Sequence, residues 1–391
     1  MLSNVRTPHR NWLSDLFFLT LALGACYLAW LGCYPLFTPD EGRYSEVARE
    51  MLIMHDYITP RLNGIVFLDK PILYYWLQAI AMYVFGINEW ALRLWPALFG
   101  LMGCWMTYIA GRVLFNRLTA ILSTLILATS PLYFGAAHYA NLDLEVAVLI
   151  SCTLLSFIMA TQLTNTAQQR LCFLSSFLFA GLAVLTKGLI GLAFPVMIIG
   201  SWIVLLWQWR TLKNIPFISG ILLFTAVALP WYLLAQQANP EFFHFFFVTQ
   251  QVTRFLSAAD FNNKTAFWFY FPIVLAGFLP WSAFIIQVLI KNMVTAVKNR
   301  QGHPAELFLF LWLCLIFTFF SIPRSKTIGY ILPIFPALAL LTGYYLNQHW
   351  DNVKQIGVRY GINLVIALTF CAAILLFTLP HLHWLDIPVR F

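Results

Sequence analysis

The residues best suited to chemistry in this 391-residue chain are a few acids and bases set in an apolar background. One group opens the run Thr38-Pro39-Asp40-Glu41-Gly42-Arg43-Tyr44, and Asp69-Lys70 follows in the same polar stretch. Asp143 and Glu145 form a second acidic pair, and Arg254, Arg324 and Lys326 supply cations further on. A carboxylate can act as general base on an acceptor hydroxyl or phosphate, while Lys and Arg hold a phosphate leaving group through charged hydrogen bonds. The set therefore suits transfer from a phosphate-bearing donor. Other candidates read more plainly. Ser325 has no companion histidine and acid for triad chemistry, and His381 and His383 with Asp386 are an incidental pair near a terminus. The run Phe242, Phe243, Phe245, Phe246 and Phe247 reads as an interfacial aromatic belt.

The elements that must position these residues are membrane spans. Hydrophobic residues make up 61% of the chain and charged ones only 10%, against about 25% charged in a soluble domain. A span needs about 20 apolar residues to cross about 30 Å of hydrocarbon. On that criterion spans fall near 13–36, 91–111, 118–138, 144–162, 171–186, 188–209, 215–236, 266–290, 305–323, 327–347 and 361–380. The expected fold class is thus an all-α polytopic membrane protein. Thr186-Lys187-Gly188 reads as a tight turn between two spans, because a lysine in mid-bilayer is costly. The first span is too long for a signal peptide and has no small-residue cleavage site, so it is expected to stay as an anchor. The seven cysteines all lie in apolar spans and read as small core hydrophobes. The formal net charge of +8 is spread singly over many loops, which excludes a nucleic-acid surface and fits membrane lipids as partners.

Segment 71–88 decides the topology. Its apolar part is short for a crossing and rich in Tyr and Trp, so it is expected to lie in the interface within one long loop, 37–90. That loop holds seven of the fifteen acids. The side shared with the N-terminus then holds 12 basic residues against three acids, Asp15, Glu306 and Asp351. The positive-inside rule puts that side in the cytoplasm, and the chemistry on the opposite face. Within the loop, Thr38 with Glu41 fits a capping box, and Pro39 suits the first helical position. Tyr44, Val47, Ala48, Met51 and Leu52 share one face of the helix that follows, with Arg43, Glu46 and Glu50 facing elsewhere, as in a helix lying on a membrane surface. Arg49 and Arg93 read as interface anchors or as partners for nearby acids.

These residues also carry a family resemblance. The run from Thr38 to Met51 resembles the first outer loop of the bacterial aminoarabinose transferases, relatives of the protein O-mannosyltransferases. So does Asp69-Lys70-Pro71 followed by Tyr75-Trp76. Leu185-Thr186-Lys187-Gly188, Phe267 to Pro272 with Gly277 to Trp281, and Ser325 to Pro333 resemble later family segments in the same order. Together they cover about residues 13–347. The resemblance implies a GT-C-like transmembrane bundle with interfacial helices in a long first periplasmic loop. It also implies sugar transfer from a polyprenyl-phosphate sugar to an acceptor outside the cytoplasm, such as lipid A or another glycan. It implies catalytic roles for Asp40, Glu41 and Asp143, donor-phosphate binding by Lys70 and Arg254, and a cavity lined by Tyr330. Arg43, Asp69 and Lys326 are expected to support that cavity.

No cofactor is expected beyond the lipid-linked donor. The acids could ligate a divalent metal, but the protein mannosyltransferase branch implies none. Position 69 is Asp and position 42 is Gly where the aminoarabinose enzymes carry Glu and Thr, which leaves the sugar open as aminoarabinose or another pentose or hexose. The chain is expected to be a single transmembrane domain over 1–391, without the outer C-terminal domain of longer relatives. Two other functions compete: a flippase or transporter for lipid-linked sugars, and a protein O-glycosyltransferase. Charges at span ends, rather than at span centres, favour an interfacial enzyme.

Overall fold

The computed structural model describes residues 10–253, 265–323, 325–350 and 356–378. Among them, six helices are long and apolar enough to cross a bilayer, or eight if each of two sharply bent pairs counts as one span. Helix α1 (Arg10–Leu28) leads into the polar segment that holds α2 (Asp40–Met54), a hairpin of β1 (Arg61–Leu62) with β2 (Ile65–Val66), and α3 (Leu73–Phe85). Then come α4 (Glu89–Leu114), the pair α5 (Arg117–Ala128) and α6 (Pro131–Ala137), α7 (Leu142–Gln162), α8 (Thr166–Lys187) and α9 (Ile190–Leu206). A short α10 (Thr211–Asn214) connects to α11 (Phe217–Ala238), which a π-helical segment follows, His244–Thr253. The last part contains α12 (Tyr270–Gly277), α13 (Ile285–Lys298), α14 (Pro304–Ser321), a 3₁₀ segment Ile328–Ile334 running into α15 (Phe335–Gln348), and α16 (Ile356–Thr378).

All eleven expected spans are helical, but three are shorter than the apolar runs suggested. The apolar parts of α1, α9 and α16 are each 17 residues or fewer. In α1 the helix stops at Leu28, and Trp30 takes a left-handed backbone in the turn that follows, so the run to residue 36 is not one rod. Two spans are broken: α5 and α6 meet at 66° across Thr129-Ser130, and the segments either side of Phe278-Leu279-Pro280 meet at 112°. Pro131 opens the helix after the first break and Pro280 is the last residue of the second, and a proline cannot donate the backbone bond that would continue a helix.

Helix α7 forms the centre of the bundle. It is buried on nearly every face, between α4 and α8, and its hydrophobicity has no preferred side, as for a helix surrounded by protein. Helix α4 is held by charge at both ends. Near its start, Arg93 is fully buried against Glu41. Near its end, Asp15 of α1 takes a hydrogen bond from Tyr108 at 2.6 Å, and Arg112 lies 3.5 Å from the same carboxylate. Arg117 closes that second cluster at 2.6 Å. The two arginines of α4 are 19 residues apart in sequence, or about 28 Å along a helix, close to the about 30 Å of a hydrocarbon core. The clusters thus mark two ends of the molecule, and Glu41 assigns α2 to one of them.

Helix α3 is 13 residues long, about 20 Å, shorter than a hydrocarbon core. It packs on α2 through Tyr44, whose ring lies 5.8 Å from Tyr74 and 6.3 Å from Tyr75. Segment 37–88 is therefore one folded unit joined to the α4 start.

Candidate active site

The Glu41–Arg93 pair fixes the start of α2. Arg93 donates from Nε and Nη2 to both Glu41 oxygens at 2.9 and 2.8 Å. It also donates to the carbonyls of Leu31, Tyr34 and Pro35. Glu41 accepts further bonds from the backbone N–H groups of Phe37 and Ala140, each at 2.7 Å. Both side chains are wholly inaccessible. This corrects one expectation: no capping box forms, because α2 begins at Asp40 with Pro39 before it, no side chain caps it, and Glu41 reaches Phe37 rather than Thr38. The acceptor sites of Glu41 are filled by Arg93 and two amides, which anchor the start of α2. A second correction concerns Glu50, which is buried and binds the amide of Gly64 in the hairpin turn at 3.0 Å. Arg49 pairs with Glu46 on the exposed side.

With Glu41 turned inward, its neighbour Asp40 is left near the surface, about a third exposed, with Arg43 at 4.0 Å. Asp143 sits in the first turn of α7, where Asn141 caps the Asp143 amide at 3.0 Å, and a helix N-terminus favours a carboxylate. It pairs with Lys187, the last residue of α8. That lysine is placed by Gly188, whose φ of +83° ends the helix in a turn that L side chains rarely adopt. The tight turn expected at Thr186–Gly188 is therefore present. Lys187 Nζ also lies 4.2 Å from the centre of the Tyr330 ring, a cation–π contact. A Cβ at Gly329 would collide with the Asp143 carboxylate, so the glycine lets the 328–334 segment approach α7. Asp143, Lys187, Gly329 and Tyr330 line one small recess, backed by Phe194 and Phe320.

Electrostatics join this recess to α2. Burial pushes the Tyr44 phenol well above its usual range, and the carboxylates of Asp143 and Asp40 push it further. Tyr139 is pushed up to about 12, by burial first and then by Asp40, Glu41 and Asp143. Both tyrosines therefore feel both acids and stay protonated as donors at neutral pH. Burial raises the Tyr75 pKa, and Tyr44, against which it lies, and then Asp69 raise it further; Asp69 Oδ1 accepts from Gln250 at 3.1 Å. Gln250 thus brings the last described turn of the π-helical segment to the Asp69-Lys70 loop. The turn between α2 and the hairpin is held by Trp231, whose Nε1 donates to Ile58 O at 3.0 Å. Asn239 bonds Thr59 Oγ1, also at 3.0 Å.

The structure thus gathers Asp40, Arg43, Asp69, Asp143 and Tyr330 at one end of the bundle. Lys70 is partly buried beside Asp69. Lys326 is buried and donates to the carbonyl of Ala266 at 3.0 Å, and burial lowers its pKa. It supports the chain at 265–266. Arg254, Arg324, His381, His383 and Asp386 lie outside the described residues. Lys187 was missing from the candidate set. Its signal was available, since a lysine closing a span must find a counter-charge, and Asp143 opens the neighbouring one.

The family model of the dolichyl-phosphate-mannose-protein mannosyltransferases matches residues 17–246. The chain belongs to that family. It is 31% identical over 358 residues to the undecaprenyl phosphate-alpha-4-amino-4-deoxy-L-arabinose arabinosyl transferase of Erwinia tasmaniensis, covering 90% of this chain and 63% of that one. A second such transferase, from Proteus mirabilis, is 30% identical with the same coverage. The chain thus spans less than two thirds of the length of these curated relatives. The crystal structure of ArnT from Cupriavidus metallidurans bound to undecaprenyl phosphate superposes with a TM-score of 0.83 at 30% identity, over 96% of this chain and 67% of that one. An oligosaccharyltransferase from Archaeoglobus fulgidus shares the fold, with a TM-score of 0.57 at 15% identity. The GT-C-like bundle expected from the sequence is borne out, and the protein is a multi-pass membrane protein.

Proposed function

We propose that this mannosyltransferase-family chain is an enzyme that transfers 4-amino-4-deoxy-L-arabinose, or a closely related sugar, from a polyprenyl phosphate to lipid A or another glycan acceptor. One observation carries the reading: Asp40 and Asp143 share the surroundings of Tyr44 and Tyr139, with Asp69-Lys70 and Lys187 at the same end of the bundle. In that arrangement an acceptor oxygen attacks the anomeric carbon as the bond to the donor phosphate breaks, its electron pair leaving with the phosphate. Lys70 and Arg254 neutralise the leaving phosphate. Asp40, open to the boundary where an amphiphilic acceptor arrives, takes the acceptor proton or balances the cationic anomeric carbon. The displacement inverts the anomeric centre and forms no sugar–enzyme bond. Asp143, neutralised by Lys187, orders that lysine and the Tyr330 ring rather than serving as a second free base.

The basic residues near the N-terminal face support an inner-membrane orientation with the N-terminus in the cytoplasm and the site facing the periplasm. The test is reconstitution of the purified chain with undecaprenyl-phosphate aminoarabinose and lipid A, with products read by mass spectrometry. Lipid A heavier by one aminoarabinose is the expected product. Movement of the donor between leaflets without transfer would make the protein a transporter, and sugar found only on polypeptide would make it a protein glycosyltransferase.

A further inference from the structure

A much larger cavity lies away from the site, between α7, α8, α9 and α11. Its volume is about 520 Å³, and Phe157, Ala180, Gly200, Ile203, Leu212 and Ile221 are among its walls. Three hydroxyl residues also line it, but each has its one donor hydrogen committed. Thr153 and Thr225 bond carbonyls of their own helices at 2.9 and 2.8 Å, and Ser176 bonds Thr153 O at 2.9 Å. The walls are therefore almost wholly apolar and suit an apolar occupant. It opens sideways past Val196 and Ile221, both more than half exposed. Along α9 it runs from Leu192 to Ile203, about 16 Å at helical rise, or roughly half of a hydrocarbon core. That is the depth of one leaflet.

The end of the groove is marked by polar chemistry. Leu212 of α10 forms part of its wall, and Trp207, Trp209, Arg210 and Lys213 lie within five residues of it along the chain, with the Leu212 N–H bonded to Trp209 O and the Lys213 N–H to Arg210 O. Trp207 is 80% exposed, and Arg210 and Lys213 are exposed as well. Neither cation is in an acidic ion pair among the described residues. Tryptophan beside lysine and arginine is the composition of a headgroup boundary, and cations there attract anionic lipid.

We infer that this groove holds an acyl chain of an anionic phospholipid from the leaflet on the α10 side, with the phosphate on Arg210 and Lys213. The complementarity has two parts: a dry slot one leaflet deep, and two cations at its headgroup end. Nothing in the slot resembles the Asp143–Lys187 recess at the start of α9, so the lipid is structural and separate from the donor.

Native mass spectrometry of the full chain tests this, after exchange from vesicles of equal phosphatidylglycerol and phosphatidylethanolamine. One phosphatidylglycerol should stay bound. R210A/K213A removes two surface charges and should lower the preference for phosphatidylglycerol about thirty-fold. At Gly200 an added Cβ meets nothing within 4 Å, so Gly200→Phe should fill the slot and abolish retention of either lipid. Wild-type protein that keeps no lipid, or keeps both lipids equally, would overturn the inference. So would retention unchanged in both variants, or a bound polyprenyl phosphate in place of the phospholipid.

Discussion

Replacing Glu41 by Gln removes one charge and almost no volume, and its cost can be worked from the contacts. The carboxylate accepts from Arg93 at 2.9 and 2.8 Å and from two backbone amides at 2.7 Å. An amide has one acceptor oxygen, so the new NH₂ faces donors wherever it is turned. Arg93 then remains charged, fully buried and without its counter-ion, a change that typically costs about 3–5 kcal/mol. Against a total stability of about 5–15 kcal/mol that is a large share. The expected fall in melting temperature is about 6–20 °C, read by fluorescence-detected size exclusion after heating in detergent. Glu41→Leu with Arg93→Met removes both charges and should recover part of the loss. Recovery stays incomplete because the carbonyls of Leu31, Tyr34 and Pro35 lose their donor. Folded Glu41→Gln should keep transferase activity within about tenfold of wild type. A melting temperature within about 2 °C of wild type would refute the buried-charge reasoning, and a folded but inactive variant would return Glu41 to the chemistry.

Asp40→Asn should lower activity about 10²–10⁴-fold with donor binding little changed; full activity would remove Asp40 as the base and leave Asp143 as the leading carboxylate. Lys187→Met breaks the bond to Asp143 and should cost about 1.5–3 kcal/mol in kcat/KM, with Lys187→Arg retaining part, and wild-type kinetics in the Met variant would contradict a role at the site. Lys70→Ala and Arg254→Ala should each weaken photocrosslinking to a polyprenyl-phosphate probe by about 2–5 kcal/mol of binding, an expectation that unchanged crosslinking in both folded variants would end. Single cysteines at positions 60 and 140, in a cysteine-free background, should label from the same face; labelling from opposite faces would make segment 71–88 a span.

The spans were legible because bilayer thickness imposes one length and one composition on every crossing. Turns with a local cause were legible too, such as Thr186–Gly188, where the glycine and the cost of burying Lys187 point the same way. The hairpin at Asn63-Gly64 carried an equally local signal, but its strands have only two residues each, so no alternation announced it. What could not be read was pairing at a distance. Glu41 looked like a helix cap because Thr38 lies three residues before it, whereas its partner Arg93 is 52 positions away. Asp143 and Lys187, 44 positions apart, meet only because α7 and α8 pack antiparallel. Glu50 was assigned to the outer face on periodicity, and a backbone amide from the hairpin drew it inward.

Helix α4 also sets a length. Long basic side chains usually absorb a mismatch between protein and bilayer by stretching toward the headgroups. Arg93 has no such freedom: its guanidinium is inaccessible and spent on Glu41 and three carbonyls. Arg112 is nearly as enclosed beside Asp15. With both ends of a 28 Å ruler pinned inside the protein, a thinner or thicker membrane must be met by tilting the whole bundle or by deforming the lipid. Tilt would carry Asp40 and the mouth of the recess up or down relative to the headgroups. If the proposed transfer holds, acyl-chain length in the surrounding bilayer would set how well a lipid-borne acceptor reaches Asp40, with no change in any contact inside the site.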